Sequence, residues 1–148
     1  MNELLSLYQE VILDHSRHPR HFGELASATH QATGVNPLCG DEMTIFVKLA
    51  DQTIQNIQFT GSGCAIMMAS ASLLTEQLTG KTLLQAQDCF AAFLHLVETG
   101  DDTQAPLLLG KLKIFSSVHH FPIRVKCATL PWHALKEALC QNGLILPP

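Results

Sequence analysis

The chain has 148 residues, of which 47% are hydrophobic and 15% are charged, and its formal net charge at pH 7 is −4. This length predicts a single domain over residues 1–148, with a core large enough to be stable without covalent cross-links. The acidic balance and the scattered basic residues exclude a nucleic-acid-binding surface, which needs clustered cations. No apolar run reaches the ~20 residues that span a bilayer, and the acidic first residues are not typical of a secretory signal. We therefore expect a cytoplasmic protein whose five cysteines are reduced.

Hydrophobic periodicity predicts one helix and three strands in the first 60 residues. Apolar residues recur at helical spacing over residues 3–15. Residues 28–37 are mixed in character and predict an edge strand that leads into a loop. Residues 43–50 and 53–60 read as strands, and only two residues separate them, so they predict an antiparallel hairpin.

Helical patterns dominate the second half of the chain. Residues 65–78 and 82–97 predict two helices, the second capped by Thr82 and ended by Gly100. A short helix is expected to start near Pro106, and a last helix spans residues 122–141, ended by Gly143 and kinked or divided at Pro131. Strands followed by helices predict an α+β domain, a small antiparallel sheet with helices packed on one face.

Three cysteines and one aspartate stand at the ends of these elements or on the last helix. Cys39 and Asp41 lie two residues apart in an extended segment, so their side chains project to the same side. Cys64 opens the helix 65–78, where its thiol faces unpaired N–H groups and the positive end of the helix dipole. Cys127 lies in the last helix, with Arg124 about one turn earlier on the same face.

Three thiolates and one carboxylate suit the tetrahedral coordination of a divalent ion such as zinc. A carboxylate in place of a fourth sulfur or a histidine suggests an exchangeable ligand, and so chemistry at the metal. Arg124 and Lys126 would offset the excess negative charge. Spacing alone leaves an equal alternative, three unrelated buried cysteines, because single cysteines 25 and 63 residues apart lack the paired spacing of zinc knuckles.

Four blocks of the sequence resemble those of the NifU/IscU-like iron–sulfur assembly proteins. The blocks that carry the cysteines are N-P-L-C-G-D (36–41), G-S-G-C-A-I-M-M-A-S-A-S (61–72) and R-V-K-C-A-T-L-P-W (124–132). The fourth, D-H-S-R-H-P-R-H-F-G (14–23), lies near the start of the chain. The blocks occur in the family's order and cover nearly the whole chain. The resemblance implies a SufE/NifU-like fold, with a small antiparallel sheet and helices on one face.

Two features resemble the SufU-type branch of this family. The interval between Cys64 and Cys127 is longer than in IscU-type proteins, and Lys126 stands where those proteins carry a metal- or cluster-binding His. The resemblance implies a protein of the SUF system, a zinc-dependent sulfurtransferase that accepts persulfide sulfur. The donor would be a pyridoxal-phosphate-dependent, SufS-like cysteine desulfurase, and downstream SUF scaffold proteins would be further partners. Neither a nucleic acid nor a membrane is expected as a partner.

The resemblance also assigns roles to individual residues. By position it implies that the zinc ligands are Cys39, Asp41, Cys64 and Cys127. Cys39 would be the sulfur acceptor, and Arg124 would steady the charge of its thiolate or persulfide. A His of the desulfurase would replace Cys39 on the metal, which frees a thiolate to attack the partner's persulfide.

Two other functions would use the same residues. The first is an iron–sulfur scaffold, in which iron or a transient [2Fe–2S] cluster occupies the three thiolates; ligand softness does not separate iron from zinc. The second is an adaptor that binds the desulfurase and whose zinc only holds the fold. The metal content of the isolated protein and persulfide on Cys39 would distinguish these functions from sulfur transfer.

The remaining cysteines are expected to be structural. Cys89 and Cys140 are predicted to pack in the core or at its border, because free cysteine is among the most buried residue types. Trp132 begins a helical stripe with Leu135 and Leu139, which predicts the face of the last helix that packs on the core.

The histidines give weaker signals than the cysteines. His15, His18 and His21 are predicted to be solvated at a helix end and in the following loop, because Arg17 and Arg20 disfavour a cation site among them. His119 and His120 precede Phe121-Pro122, and a role in a loop or lid is favoured only slightly over a plain surface position.

Overall fold

The sheet is a three-stranded antiparallel meander. The computed structural model describes residues 2–103 and 108–140 of the chain. Strands β1 (His30–Asn36), β2 (Asp41–Ala50) and β3 (Thr53–Ser62) lie in the order β1-β2-β3, and each is antiparallel to its neighbour. These strands confirm the predicted edge strand and both strands of the predicted hairpin.

The turn between β2 and β3 has the two-residue length that the sequence predicts. Asp51 and Gln52 have φ angles of 52° and 62°, the left-handed values that a type I′ hairpin turn needs at both central positions. Because successive residues of a strand face opposite sides, Met43, Ile45 and Val47 all point to the buried face of β2. The helices over residues 65–78 and 122–140 pack directly against the sheet.

Helices form where the helical patterns predict them. Helices α1 (Asn2–Arg17), α2 (Ala65–Leu78) and α3 (Leu83–Thr99) match the predicted ranges within two residues at each end. Helix α4 (Pro122–Cys140) runs through Pro131 as one element and is not divided there. The predicted ends of this helix at residues 141–143, and the expected helix start at Pro106, lie outside the described residues.

A 3-10 helix over Gly110–His120 is an element that the sequence reading missed. Leu112, Phe115 and Val118 are buried along it, and this spacing of three matches the three residues per turn of a 3-10 helix. This period differs from the 3.6-residue period of an α-helix, so an α-helical pattern does not reveal it. The loop predicted for His119 and His120 is therefore wrong, since both residues end this helix.

The core lies between the sheet and the helices. The indole of Trp132 is fully buried and stacks on the ring of Phe93 with 4.6 Å between ring centroids, and Phe115 packs edge-on against Phe93. Leu135 and Leu139 are also fully buried, which confirms the predicted core face of α4. The architecture is the predicted α+β arrangement. Within residues 2–103 and 108–140, no helix is both long and apolar enough to cross a membrane.

His15 is buried, so the prediction that it is solvated is wrong. It is 2% exposed, and its Nδ1 lies 2.7 Å from the hydroxyl oxygen of Ser72 on α2. The same hydroxyl accepts a hydrogen bond of 2.9 Å from the backbone N–H of Arg20. His18 and His21 are exposed as predicted. His15 thus ties the end of α1 to α2 through Ser72, and the Arg20 N–H ties the segment that follows α1 to the same hydroxyl.

Burial and this contact make the stability of the fold depend on pH. Burial lowers the pKa of His15 below its ordinary value of about 6.5, and the nearby charge of Arg20 lowers it further, while Glu76 acts against both. In the unfolded chain the imidazole regains its ordinary pKa and takes up a proton more readily. The contribution of His15 to the free energy of unfolding is therefore complete above about pH 6.5. It is lost as the pH falls toward the lower pKa that His15 has in the folded state.

We expect the denaturant midpoint of the wild-type protein to fall between pH 7.5 and pH 5.5. In His15→Gln, which keeps a polar group facing Ser72 and has no proton to gain, the fall should be smaller. Far-UV circular dichroism in a urea series at both pH values measures it. His18→Gln is the matched control, because His18 is exposed, and it should behave as the wild type. An equal fall in His15→Gln and wild type would contradict His15 as a source of the pH dependence.

Candidate metal centre

The tip of the β1–β2 hairpin presents Cys39. The Asn36 side-chain oxygen accepts a hydrogen bond from the N–H of Leu38, and the Asn36 backbone oxygen accepts one from the N–H of Cys39, both at 3.2 Å. Asn-Pro is a turn-forming pair for this reason, since Asn bonds the backbone two residues on and Pro37 fixes its own φ. Gly40 follows at φ 68° and leads the chain into β2. The sulfur of Cys39 is half-buried at this tip.

Asp41, the first residue of β2, is fully buried and connects the hairpin to α2. One carboxylate oxygen accepts a hydrogen bond from the N–H of Cys64 at 2.8 Å, and the other lies 3.6 Å from the Cys64 sulfur. Cys64 is the N-cap of α2, and its sulfur accepts a bond of 3.5 Å from the N–H of Met67. The predicted position of Cys64, facing the free N–H groups of a helix start, is therefore observed.

Cys127 completes the cluster from the opposite side. It is buried on α4, and its sulfur lies 3.3 Å from that of Cys39. The ligand atoms of Cys39, Asp41 and Cys127 all lie within 4.8 Å of one another. Cys64 lies outside this mutual group, although its sulfur contacts Asp41. The structure thus brings together all four residues that the sequence reading selected, from three separate parts of the fold.

The surroundings of Cys127 hold its thiol in the protonated form. Burial raises the pKa of this thiol far above its ordinary value, and hydrogen bonds with Cys39, Asp41 and Cys64 raise it further. Loss of this proton therefore needs a strong positive charge close by. A divalent cation is the natural source of that charge, because a thiol that coordinates such an ion is deprotonated.

The donor set fits a metal ion in a second respect. Asn36 lies directly across from Asp41 in the β1–β2 register, and both are buried. Within the described part of the chain, Asn36 Nδ2 is the one buried side-chain nitrogen or oxygen without a hydrogen-bond partner. A buried donor left without an acceptor is costly, and it suits a site whose neighbouring thiols become thiolates. Asn36 was missed as a functional residue, although it belongs to the same sequence block as Cys39.

Arg124, Cys89 and Cys140, also selected from the sequence, have different surroundings. Arg124 is exposed, and its guanidinium lies 4.7 Å from the centre of the Phe121 ring. Cys89 is buried as predicted, and its thiol donates to the carbonyl of Leu108 at 3.2 Å. Cys140 is exposed, so its prediction as a packing residue is wrong. It falls seven residues after His133 and three after Glu137, on the exposed stripe of α4.

The fold and the clustered thiols define a class of protein, a small α+β chain with a sulfur-rich site that can hold a metal. The chain belongs to the NifU-like N-terminal domain family, whose model matches residues 7–128. This membership confirms the resemblance that the four sequence blocks carry.

Two relatives and one solved structure illustrate the similarity. The chain is 37% identical over 143 residues to the iron–sulfur cluster assembly scaffold protein IscU of Streptococcus pyogenes serotype M1, covering 97% of this chain and 89% of that protein. It is 35% identical over 137 residues to the zinc-dependent sulfurtransferase SufU of Bacillus subtilis strain 168, covering 93% and 92%. The crystal structure of a candidate iron–sulfur cluster assembly scaffold for the SUF system from Fervidobacterium islandicum AW-1 superposes with a TM-score of 0.82 at 33% identity, covering 90% and 96%.

Gly63 offers a test of how Asp41 is held. A Cβ at position 63 would collide with a carboxylate oxygen of Asp41 and would crowd the methyl group of Met67. We expect Gly63→Ala to displace the carboxylate and, with added zinc as the probe ion, to weaken metal binding by about 10- to 100-fold, the usual effect of disturbing groups that orient a ligand. Competition with a chromogenic chelator measures the affinity. Ser62→Ala is the matched control, because Ser62 is an exposed neighbour; equal affinities of the two variants would contradict the role given to the Asp41 position.

Proposed function

We propose that this chain is an iron–sulfur cluster assembly protein of the SUF system that accepts persulfide sulfur from a cysteine desulfurase. The observation that carries the proposal is the convergence of Cys39, Asp41 and Cys127 within 4.8 Å, with Cys64 in contact with Asp41. The relative named as a zinc-dependent sulfurtransferase, which matches 93% of the chain, supports it. The reaction needs reduced thiols, so the proposal assigns the protein to the cytoplasm.

Cys39, Asp41, Cys64 and Cys127 are the residues that would hold the zinc ion. When bound, zinc would keep these thiols deprotonated and would occupy the electron pair of Cys39 until a partner is present. The four residues differ in access: Asp41 and Cys127 are buried, whereas Cys39 and Cys64 are half-buried. The Cys64 sulfur accepts from the N–H of Met67 and lies 3.6 Å from Asp41, whereas Cys39 lies on a hairpin tip. The proposal therefore assigns the meeting with the incoming donor to Cys39, with Asp41 as a fixed anchor.

The transfer step is a thiol–persulfide exchange. The Cys39 thiolate attacks the outer sulfur of a persulfide on the desulfurase, a new S–S bond forms at Cys39, and the S–S bond of the donor breaks. The donor cysteine leaves as a thiolate, so no external oxidant or reductant is needed. Arg124, about one turn before Cys127 at the exposed start of α4, would steady the negative charge that remains on the Cys39 persulfide.

Exposed apolar side chains on the hairpin that carries Cys39, and at the start of the helix that carries Cys127, support a protein partner. Leu38, which directly precedes Cys39, is 74% exposed, and Val35 on the same hairpin is 58% exposed. Phe121 and Ile123 at the start of α4 are 49% and 60% exposed. Exposed apolar residues grouped near a reactive site are typical of a protein–protein contact. The proposed partner is a SufS-like, pyridoxal-phosphate-dependent desulfurase, and downstream SUF scaffold proteins would receive the sulfur.

We expect Cys39→Ala to lose persulfide acceptance completely while the protein stays folded, because Cys39 lies at a half-buried tip. The assay incubates the protein with a cysteine desulfurase and cysteine, traps persulfides by alkylation, and locates them by mass spectrometry of peptides. All proteins carry Cys140→Ser, which removes the exposed thiol. Cys89→Ala in this background is the matched control and should keep the acceptor. Persulfide carried by another residue at the wild-type rate would contradict the role of Cys39.

The alternative function is a scaffold that builds a [2Fe–2S] cluster on the same cysteines, with iron or the cluster as its cargo. The relative named IscU, at 37% identity, favours this alternative. We expect protein isolated without added iron to hold about one equivalent of zinc and to show no absorbance in the visible range. In the zinc-loaded form it should stimulate the desulfurase more than the apo form does. A coloured, iron-containing protein with equal stimulation by both forms would favour the scaffold.

A further inference from the structure

Ser70 is a fully buried polar residue that joins the two helices carrying Cys64 and Cys127. It lies on α2, six residues after Cys64, and its hydroxyl donates a hydrogen bond of 2.6 Å to the carbonyl of Ala128 on α4. The same oxygen accepts a bond of 3.2 Å from the indole N–H of Trp132. Ala128 directly follows Cys127 in the chain. One hydroxyl therefore holds α4 at two points, one of them adjacent to the buried cysteine of the cluster.

Helix α4 has a particular need for an external tie at this turn. Pro131 has no N–H, so the carbonyl four residues earlier, that of Cys127, receives no helical hydrogen bond. The Pro131 ring also crowds this carbonyl. The helical turn that begins at Cys127 therefore has one backbone hydrogen bond fewer than a regular turn of an α-helix. The bond from Ser70 to Ala128 supplies a restraint from α2 at that turn.

The second tie is rigid because its partner is rigid. The Trp132 ring is fully buried and stacks on Phe93 with an angle of 15° between the planes. Its indole N–H points at the Ser70 oxygen, so the hydroxyl cannot rotate freely: it accepts from Trp132 and must donate to Ala128. Both polar groups are satisfied only when α2 and α4 keep one relative position.

We infer that Ser70 is a positioning residue, which fixes the Cys127 sulfur relative to Cys39, Asp41 and Cys64. The inference rests on the proposed metal site, because its purpose is to hold four ligands at the distances a tetrahedral ion requires. A shift of α4 relative to α2 would change the distance between the sulfurs of Cys39 and Cys127, which now lie 3.3 Å apart. Sites of this kind depend on supporting groups that lock the ligand-bearing elements.

Ser72 provides a matched control on the same helix. It is also fully buried, and its hydroxyl bonds His15 and the N–H of Arg20, so it ties α2 to the end of α1 and to the segment after it, not to α4. Ser70→Ala and Ser72→Ala each remove one buried hydroxyl from α2. Both variants should lose stability. Only Ser70→Ala should change the site.

The test compares wild type, Ser70→Ala, Ser70→Thr and Ser72→Ala in metal-bound form. Chelator competition gives the zinc affinity, and cobalt substitution gives the visible d–d and sulfur-to-cobalt bands that report ligand geometry. We expect Ser70→Ala to bind zinc about tenfold or more weakly and to show altered cobalt bands. Ser70→Thr, which keeps the hydroxyl, should recover most of the affinity, and Ser72→Ala should match the wild type.

A metal-free measurement separates this inference from the proposed function. Phenylarsine oxide links two thiols that lie close together, and in the apo protein it should link Cys39 to Cys127. Ser70→Ala should capture it more slowly than wild type and Ser72→Ala. Trp132→Phe, which removes the indole donor and keeps an aromatic ring, should show an intermediate loss if Ser70→Ala does not fold.

Should the wild type bind no zinc while Ser70→Ala still loses arsenical capture, the metal proposal fails and the positioning role stands. If Ser70→Ala matches the wild type in zinc affinity, cobalt bands and arsenical capture, the positioning role is overturned.

Discussion

The hydrogen bond from the Cys64 N–H to the buried carboxylate of Asp41 is the contact on which the site depends. It joins the first residue of β2 to the first turn of α2, so the hairpin and the helix cannot shift independently. The N–H groups at a helix start carry a partial positive charge, and they are the main compensation that the chain itself offers to this buried carboxylate. Gly63 allows the two backbones to approach closely enough for the bond, because a side chain there would occupy the position of the carboxylate.

From this contact the site extends to α4, and its members differ in burial. Cys39 and Cys64 are half-buried, and Asp41 and Cys127 are buried. Cys39 is carried by a turn, while the other three residues are carried by a strand and two helices. In the proposed transfer, such a division would place the group that meets a partner on the element that costs least to rearrange. The fixed groups belong to elements that the core holds.

Much of this architecture could be predicted from the sequence, because the strands and α-helices have strong periodic patterns and clear end signals. The four site residues could be selected because they lie at element ends in specific blocks. The burial of His15 could not be predicted, since its partner Ser72 is distant in sequence and only tertiary packing brings them together. Ser70 and Asn36 escaped notice for the same reason: their roles depend on a facing helix and on a strand register. The 3-10 helix was missed because its period differs from the one sought.

Gly40 separates two residues of the candidate site that are held differently: Cys39 lies on an open hairpin tip, and Asp41 is buried and bonded to Cys64. A Cβ at this position would meet no atom within 4 Å, and the φ angle of 68° is one that glycine adopts without strain. The peptide between Cys39 and Asp41 is therefore an unpacked pivot. Rotation at Gly40 would swing the Cys39 sulfur outward while Asp41 keeps its bond to α2, so the tip can change direction without disturbing the core. A larger residue would stiffen this joint, and the hairpin would then move as one piece with the strand.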